Sequence, residues 1–398
     1  MKKIKICFVG LENLPVLAPE FNHHGIGGEQ VQHTLLAKSL ARRGYDTSMV
    51  VYDYGQPDIA TWDRVTTYKA YRQHAGIPVL RFLYPRLTGV WSALQRADAD
   101  VYYVSCAGMQ LGLIAMFCQL HDRRVVFRVA HDADCDPQAL LVSYWRDRKL
   151  YEYGLRQADA ILVQSQQQQR ALQHNYRLDS ELADMLVDFP DTACDHEGRL
   201  VDVLWVNNIR EFKRPDLLLD LARLLPQRRL QMIGGAQPGE QALYDDIRRQ
   251  AQALPNVMFE GRIPCHDMGS RYAGALVFVN TSDSEGFPNS FLQAWARGTP
   301  VVSFFDPDNV IEREGLGMTV TSLEAMASAV ETLASDPLRW HETSERCVAY
   351  MQARYREERV LAPYLKLLQP ATGRPVCRRC DPGAPNKPLR NNVDCGAR

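Results

Sequence analysis

Short apolar runs rich in β-branched residues alternate with amphipathic stretches along most of the chain. In the first half, the strand candidates are residues 3–9, 47–52, 100–105, 124–130 and 160–164. Helical patterns lie between several of them, and the clearest covers residues 29–44 and ends at Gly44. Strands and helices that alternate at this spacing predict βαβ units and a parallel sheet covered on both faces.

This alternation stops around residues 178–200 and then starts again. Strand candidates follow at residues 201–207, 229–235, 256–261, 275–280 and 299–305. Between them lie helical patterns at 214–226 and 238–254 and a short one after Pro288, and the last helical patterns cover 322–335, 338–354 and 356–369 without another strand signal. We therefore predict a second domain built on its own parallel sheet.

Composition agrees with two soluble domains. The chain has 398 residues, 46% hydrophobic and 23% charged, which is too long for one ordinary core. A net charge of -1 gives no global reason to expect a nucleic-acid partner. No apolar run approaches the roughly 18 residues of a spanning helix, and the start of the chain does not read as a signal peptide. We expect a cytoplasmic protein whose cysteines, including Cys7, Cys106 and Cys118, are buried free thiols.

The last stretch, residues 370–398, differs from the rest. It is rich in proline and holds six basic and two acidic residues. We predict a disordered tail. Cys377, Cys380 and Cys395 resemble half of a zinc site, but no fourth ligand lies nearby, so incidental thiols are favoured.

Two polar loops in the first half follow strands. Gly27 and Gly28 open the helix at 29–44, where glycines let backbone amides approach an anion; an ordinary strand-to-helix turn is the alternative. His131 comes just past the strand at 124–130, where open α/β sheets bind ligands. Asp132, Asp134 and Asp136 follow it and read either as a metal cluster or as a turn and helix cap.

Two more polar loops lie in the second half. Arg210, Lys213 and Arg214 follow the strand at 201–207 and precede Pro215, a favourable first helical residue. Such cations suit a diphosphate, although a solvated basic loop is the alternative. Glu285 and Gly286 follow the strand at 275–280 and precede a helix, where a carboxylate beside free amides suits a sugar attached to a phosphate.

Taken together, these segments resemble a retaining glycosyltransferase of the GT-B fold, specifically glycosyltransferase family 4. The resemblance covers about residues 3–369 and rests on the double-glycine loop, on WVNNIREFKRPDLLLDLARLLP and on SEGFPNSFLQAWARGTPVV. It implies two Rossmann-like domains with parallel sheets that face each other across a cleft. We assign residues 1–185 to the acceptor domain, 200–355 to the donor domain and 356–369 to a helix that crosses back to the first domain.

The resemblance also implies roles for particular residues. His131, Lys213 and Glu285 match catalytic positions: the histidine lies near the donor sugar, the lysine neutralises the pyrophosphate, and the glutamate is the first carboxylate of the E-x7-E segment. The positions expected to bind the donor are Gly27, Gly28, Arg210, Lys213, Glu285, Gly286, Phe287, Pro288, Asn289 and Gln293.

Two positions depart from the family pattern. Asn207 and Asn208 stand where Gly-Arg is usual, and Arg210 is the candidate to supply the missing cation. Gln293 stands where the second glutamate usually contacts the ribose. A neutral amide should bind a ribose hydroxyl about 1 kcal/mol more weakly than a carboxylate does.

The expected reaction moves a sugar from a nucleoside diphosphate to a hydroxyl of a saccharide or lipid-linked acceptor, with retention and without a metal or other cofactor. Cell-surface polysaccharide or glycolipid synthesis is the expected setting. Peripheral contact with the inner membrane would use residues 84–96, although a helix with one buried face also explains that segment. A silent nucleotide-sugar-binding scaffold and a nucleotide-sugar epimerase on the same fold stay open as alternatives.

Overall fold

The structure, a computed structural model, describes residues 4–21, 27–77, 80–190, 195–237, 239–264, 267–283 and 285–369. The predicted tail at 370–398, with Cys377, Cys380 and Cys395, lies outside the described residues. So do His23, His24 and Ser284.

The first half of the chain forms an eight-stranded sheet in the order β3-β4-β2-β1-β5-β6-β7-β8. All of its neighbouring strands are parallel except β3 and β4. The strands are β1 (Lys5–Val9), β2 (Asp46–Val51), β3 (Ile59–Trp62), β4 (Val65–Lys69), β5 (Val101–Ser105), β6 (Arg124–Arg128), β7 (Ala160–Val163) and β8 (Glu181–Leu182). The helices are α1 (Leu14–Leu17), α2 (Gly28–Arg42), α3 (Thr88–Ala97), α4 (Met109–Leu120), α5 (Trp145–Gln157) and α6 (Gln166–Tyr176).

The second half forms a six-stranded parallel sheet in the order β11-β10-β9-β12-β13-β14. Its strands are β9 (Val201–Val206), β10 (Leu230–Ile233), β11 (Val257–Gly261), β12 (Ala275–Asn280), β13 (Val301–Ser303) and β14 (Gly317–Thr319). The helices of this half are α7 (Pro215–Leu224), α8 (Gln241–Gln252), α9 (Met268–Ala273), α10 (Asn289–Trp295), α11 (Val310–Glu314), α12 (Leu323–Ser335), α13 (Pro337–Arg354) and α14 (Glu357–Leu367). Every residue of β12 is buried, as expected for a central parallel strand covered on both faces.

The sequence missed four short strands. The hairpin of β3 and β4 carries polar threonines, and its turn residues Asp63 and Arg64 both adopt positive φ angles of 47° and 66°. That geometry is a two-residue hairpin turn, but the pair lacks the Asn-Gly signal that announces one. The other two missed strands, β8 and β14, have only two and three residues, which is too short for a periodic pattern.

The final helix, α14, follows the second sheet in the sequence but packs against the first sheet. Arg124 donates to the Leu367 carbonyl at 2.8 Å, and the rings of Tyr364 and Tyr103 lie 6.3 Å apart. Val360 and Leu361 of α14 belong to the same buried cluster as Phe8 and Leu40 of the first half. The two sheets and this helix therefore share one continuous core.

The structure also describes the three cysteines expected to be buried and the segment at residues 84–96. Cys7 and Cys118 are buried, but the prediction that Cys106 is buried was wrong: it follows β5 in a left-handed turn with φ 66° and is exposed. Within residues 84–96, α3 buries Val90 and Leu94 against the first sheet. Among the described residues, no helix combines the length and apolar character needed to cross a membrane.

Candidate active site

The loop after β12 presents Glu285 to a cation from the loop after β9. The Lys213 ammonium pairs with Glu285 Oε1, and the same oxygen accepts a hydrogen bond from Ser282 Oγ at 2.7 Å. The side chains of Lys213 and Glu285 are only 14% and 11% exposed. A carboxylate and an ammonium thus lie together, mostly shielded from solvent, at the carboxyl ends of two adjacent strands.

Thr281 joins these two loops. Its hydroxyl donates to the carbonyls of Lys213 and Arg214 at 2.9 Å and accepts from the buried Trp205 indole at 2.8 Å. The backbone N–H of Asp283 also donates to the Phe212 carbonyl at 2.9 Å. The relative position of Lys213 and Glu285 is therefore set by buried bonds of their backbones as well as by their own pairing.

Burial changes the charge behaviour of Lys213. Desolvation lowers its pKa below the usual lysine range, and the Arg210 charge lowers it further, while Glu285 opposes both. An ammonium that is already poorly hydrated binds a diphosphate with a smaller desolvation cost than an exposed one. It also loses its proton at a lower pH than an exposed lysine does.

Arg210 joins Lys213 around the ring of Phe212. The Lys213 nitrogen lies 4.9 Å from the ring centroid and the Arg210 guanidinium carbon lies 5.9 Å from it. Arg210 also donates to the Gln237 side chain at 3.4 Å. The prediction that Arg210 shares a site with Lys213 agrees with this geometry.

The third predicted cation, Arg214, points elsewhere. It pairs with Asp216 at 2.7 Å and Asp283 at 3.5 Å. Its own backbone is left-handed, with φ 49°, which turns the side chain away from the Lys213 direction. The sequence grouped three cations by spacing, and the turn separates one of them from the other two.

His131 lies at the carboxyl end of β6 in the first half. Its ring nitrogen Nδ1 accepts a hydrogen bond from the Ala133 backbone N–H at 3.0 Å. The backbone N–H of His131 donates to Asp134 Oδ2 at 3.1 Å. Because Nδ1 is an acceptor, the neutral ring carries its proton on Nε2. That N–H is available as a donor to a ligand hydroxyl.

Gly286 brings the two halves together at His131. A Cβ at Gly286 would lie 3.1 Å from the Ala130 carbonyl oxygen and 3.6 Å from the His131 Cα. A Cβ would also meet the Gln168 amide nitrogen at 3.0 Å. A side chain here would require the Ala130 carbonyl or the Gln168 amide to shift by a few tenths of an ångström, so glycine accommodates this close approach without displacement.

The double-glycine loop meets the same helix start. Asn289, the first residue of α10, donates from its amide to the Gly28 carbonyl at 2.7 Å. Gly27 begins α2 in an extended conformation without a side-chain cap. Pro288 precedes α10, and Phe287 is buried against Trp295, so Phe287 offers a ligand its backbone but little of its ring. Asn289 thus links the start of α10 to the double-glycine loop, as Gly286 links the Glu285 loop to the His131 turn.

Gln293 is held by a residue that the sequence did not single out. Its amide oxygen accepts from the Arg297 guanidinium at 2.7 Å, one turn further along. Arg297 is 5% exposed, and burial lowers its pKa despite the nearby Asp188 carboxylate. The Gln293 oxygen therefore has one of its two lone pairs engaged by Arg297, which fixes the direction of the amide.

Behind the double-glycine loop, α2 carries two titratable groups, the buried His33 and the half-buried Glu29. Burial raises the pKa of Glu29 to about 7 and lowers the pKa of His33 to about 3. Their closest approach is 3.1 Å, and the Arg128 charge acts on both. His33 is thus neutral at physiological pH, while Glu29 titrates near neutrality.

The acidic residues after His131 are used locally. Asp134 accepts from the N–H groups of Ala130 and His131, Asp136 accepts from the Gln138 N–H, and Asp132 accepts from the Gln168 amide at 2.9 Å. These contacts support the turn-and-cap interpretation over the metal interpretation. Across the part of the chain that the structure describes, no three histidine, cysteine or carboxylate side chains are grouped as metal ligands.

The sequence analysis did not predict several residues that lie at or near this site, namely Gln164, Gln168, Phe212, Arg297 and Asp308. Gln164 donates to the Val129 carbonyl at 2.9 Å and Gln168 lies between Asp132 and Gly286. Both follow β7, and a polar run at the carboxyl end of a parallel strand was a usable signal for them. The other three act through tertiary contacts that no spacing in the sequence reveals.

Comparisons with known proteins agree with this architecture. A model of the glycosyl transferase 4-like domain matches residues 27–187, and a model described as glycosyl transferases group 1 matches residues 201–336. The first match includes every strand of the first sheet except β1, and the second includes every strand of the second sheet. The boundary between them falls in the segment where the strand–helix alternation stops.

Curated relatives match over part of their length. The D-inositol 3-phosphate glycosyltransferase of Frankia alni is 30% identical over 163 residues, covering 38% of this chain and 37% of that protein. The O-antigen biosynthesis glycosyltransferase WbnH of Escherichia coli is 30% identical over 132 residues, covering 33% of this chain and 36% of the relative. The chain therefore matches little more than a third of the length of these curated relatives.

Solved structures match over nearly the whole chain and show the fold. Sucrose-phosphate synthase of Thermosynechococcus elongatus superposes with a TM-score of 0.70 at 18% identity, covering 92% of this chain and 98% of that one. HepE of Anabaena, solved with UDP and glucose, gives a TM-score of 0.69 at 17% identity, covering 92% and 99%. The chain thus carries a glycosyl transferase 4-like domain followed by a glycosyl transferases group 1 domain, and its two parallel-sheet domains have the GT-B fold of these structures.

Proposed function

We propose that this protein is a retaining glycosyltransferase that moves a sugar from a nucleoside diphosphate to a hydroxyl acceptor. The observation that carries the proposal is the meeting of Lys213, Glu285 and Gly286 with the His131 turn, which joins groups from both sheets in one cleft. The names of the relatives support the same class of activity: they include enzymes of O-antigen synthesis and a structure that binds UDP and glucose.

The donor fits the charge pattern of the cleft. Lys213 and Arg210 face the diphosphate, and Glu285 accepts hydrogen bonds from sugar hydroxyls. In the free protein Lys213 and Glu285 pair with each other, so an incoming donor exchanges that pair for its own phosphate and hydroxyl groups. The His131 Nε2–H donates to a further sugar hydroxyl.

The chemistry is departure of the diphosphate followed by attack of the acceptor hydroxyl. As the bond to the sugar breaks, negative charge grows on the leaving phosphate and Lys213 and Arg210 stabilise it, which is preorganised electrostatic catalysis. The acceptor hydroxyl attacks the face that the diphosphate leaves, and the departing phosphate takes its proton. These cations do the work that a metal ion does in other sugar transferases, so we propose a reaction without a metal. The close approach of Gly286 to Ala130 supports a cleft that excludes water during this step.

The setting is synthesis of a cell-surface polysaccharide or glycolipid. An acceptor attached to a lipid would bring the first half of the molecule to the cytoplasmic face of a membrane. The exposed side chains of Leu83, Tyr84 and Trp145 near α3 support such a peripheral contact.

The first experiment is a nucleotide panel. We expect one class among UDP-, GDP- and ADP-sugars to raise the melting temperature and to be hydrolysed slowly, equally with Mg²⁺ and with EDTA. Absence of any stabilisation would argue for a silent scaffold, and conversion of the donor to an isomer without an acceptor would argue for an epimerase.

The matched variants are Glu285→Gln and Glu324→Gln. Glu285→Gln removes the charge that pairs with Lys213, and we expect donor turnover to fall about 10- to 100-fold, the worth of a charge-assisted hydrogen bond. Glu324→Gln changes an exposed carboxylate on α12 and should leave turnover unchanged. Equal turnover in both variants would contradict the role of Glu285.

A further inference from the structure

A cavity of about 440 Å³ lies at the carboxyl edge of the first sheet, beside the cleft. Tyr52 follows β2, Tyr71 follows β4, and Gly108 leads from β5 into α4; all three line the cavity. Its volume is within the range of small-molecule pockets. None of the donor-binding residues lines it.

The cavity carries a cation that the protein leaves unneutralised. Arg86 lines it and forms no ion pair with any residue that the structure describes, and its buried Nε atom has no hydrogen-bond partner there. The Arg86 charge acts on the hydroxyls of both Tyr52 and Tyr71, lowering the pKa of each against the stronger effect of burial. The guanidinium therefore lies among polar groups that can share one ligand.

Other features of the wall favour an anion. The twelve-residue helix α4 starts at this cavity after Gly108, with no side-chain cap on its first N–H groups. The one carboxylate that lines the cavity, Asp147, is paired with Arg146 at 2.7 Å. The Glu12 carboxylate, whose charge also acts on both tyrosines, does not line the cavity and accepts hydrogen bonds from Gln30 and Gln73 at 3.2 Å.

The cavity is coupled to the donor cleft through backbone contacts. Burial raises the pKa of Asp134, and the backbone amide of Ala107, in the cavity wall, lies close enough to oppose that effect. The same carboxylate accepts the N–H of His131 at 3.1 Å. The buried Asp134 carboxylate thus lies between the wall of the cavity and His131, the residue proposed to contact the donor sugar.

We propose that this cavity binds the acceptor and that Arg86 selects acceptors carrying an anionic group, a phosphate or a carboxylate. The inference rests on the proposed glycosyl transfer and names the class of its second substrate. The hydroxyls of Tyr52 and Tyr71 and the first N–H groups of α4 complete the contacts to the anion, and the neutral part of the acceptor extends toward His131.

The test compares glucose, glucose 6-phosphate and glucuronate as acceptors and as ligands. Transfer from the donor identified above is measured, and binding is measured by calorimetry with saturating nucleoside diphosphate, which fills the Lys213 site. The variants are Arg86→Gln and, as a matched control, Arg81→Gln, an exposed arginine on the same connection. Diphosphate affinity reports whether each variant is folded and competent to bind donor.

We expect one or both anionic compounds to bind at least about tenfold more tightly than glucose, and the compound that does so identifies phosphate or carboxylate as the preferred group. Arg86→Gln should remove that preference while diphosphate affinity stays unchanged, and Arg81→Gln should keep it. Equal binding of glucose and both anions, or a preference that survives in Arg86→Gln, would overturn the inference and leave the transferase intact.

Failure of the proposed function has a different signature. If no nucleotide binds, calorimetry is run without diphosphate. Anion binding that is lost in Arg86→Gln and kept in Arg81→Gln would then support the site without the transferase, whereas equal binding by both variants would overturn the site as well.

Discussion

The charge of Lys213 depends on how little water surrounds it. Burial and Arg210 lower its pKa, and its pairing with Glu285 opposes them only in part. The lysine therefore loses its proton at a lower pH than a solvated lysine does. The deprotonated amine no longer attracts a diphosphate.

We therefore expect kcat/KM for the donor to decrease as the pH rises, with the midpoint of the decrease below the usual pKa of lysine. In Lys213→Arg the guanidinium keeps its proton across this range, so the alkaline fall should move to higher pH even if the maximum rate is lower. A pH profile of both proteins between pH 7 and 11 measures this. Profiles that fall together would show that another group titrates.

Gln293 shows how one neighbour determines what a side chain can offer. Its oxygen accepts a hydrogen bond from Arg297, so one of its two lone pairs is already engaged. A carboxylate at this position would keep one oxygen on Arg297 and present the other to a ribose hydroxyl.

We expect Gln293→Glu to tighten binding of the nucleoside diphosphate about fivefold. A charged carboxylate accepts a hydrogen bond from a ribose hydroxyl more strongly than a neutral amide does, by about 1 kcal/mol. The gain should disappear with a 2′,3′-dideoxynucleoside diphosphate, which lacks the hydroxyls. Calorimetry with both nucleotides measures it. An equal gain with the dideoxy compound would mean that Gln293→Glu acts elsewhere than on the ribose.

At the scale of elements, helix starts decide how the two halves meet. The first backbone N–H groups of α6 are capped by two residues. The N–H of Gln168 donates to the hydroxyl of Ser165, which directly precedes the helix. The N–H groups of Gln166 and Gln167 donate to the Asp308 carboxylate at 2.8 and 3.2 Å. Asp308 belongs to the other half of the molecule and has a left-handed backbone with φ 53°. A helix of the first half is thus completed by a residue of the second.

We expect Asp308→Ala to lower the free energy of unfolding by about 0.5 to 2 kcal/mol, the usual cost of a lost cap. Asp308→Asn keeps an oxygen acceptor and tolerates the left-handed conformation, so it should lose less. Urea unfolding of the three proteins measures the difference. Equal losses in both variants would assign the effect to the negative charge rather than to the cap.

At the scale of the whole molecule, the last helix ties the end of the chain to its beginning. Leu361 of α14 is fully buried in a cluster that contains Phe8, Phe278 and Trp295, residues from both sheets. A core shared in this way couples the unfolding of the two halves.

We expect Leu361→Ala to lower the free energy of unfolding by about 2 to 5 kcal/mol through the cavity that it leaves. Ala362→Ser, on the exposed side of α14, should change it by less than about 0.5 kcal/mol. Tryptophan fluorescence and circular dichroism in urea should report one shared transition. A loss that appears in only one of two separated transitions would contradict the coupling.

The sequence by itself determined the two parallel sheets, their order along the chain and the loops that carry His131, Lys213 and Glu285. Each of these follows from local pattern: apolar runs predict buried strands, and polar residues at their carboxyl ends gather at one edge of a parallel sheet. The same reasoning missed the hairpin of β3 and β4, whose turn lacks a glycine, and did not predict that Arg214 pairs with Asp216 and Asp283. Tertiary structure alone decided the contact of Gly286 with the His131 turn, the hydrogen bond from Arg297 to Gln293, the cap that Asp308 gives α6 and the position of Arg86 in the wall of its cavity. These depend on distances between groups far apart in the chain, or on which neighbours occupy a side chain, and no periodicity in the sequence encodes either.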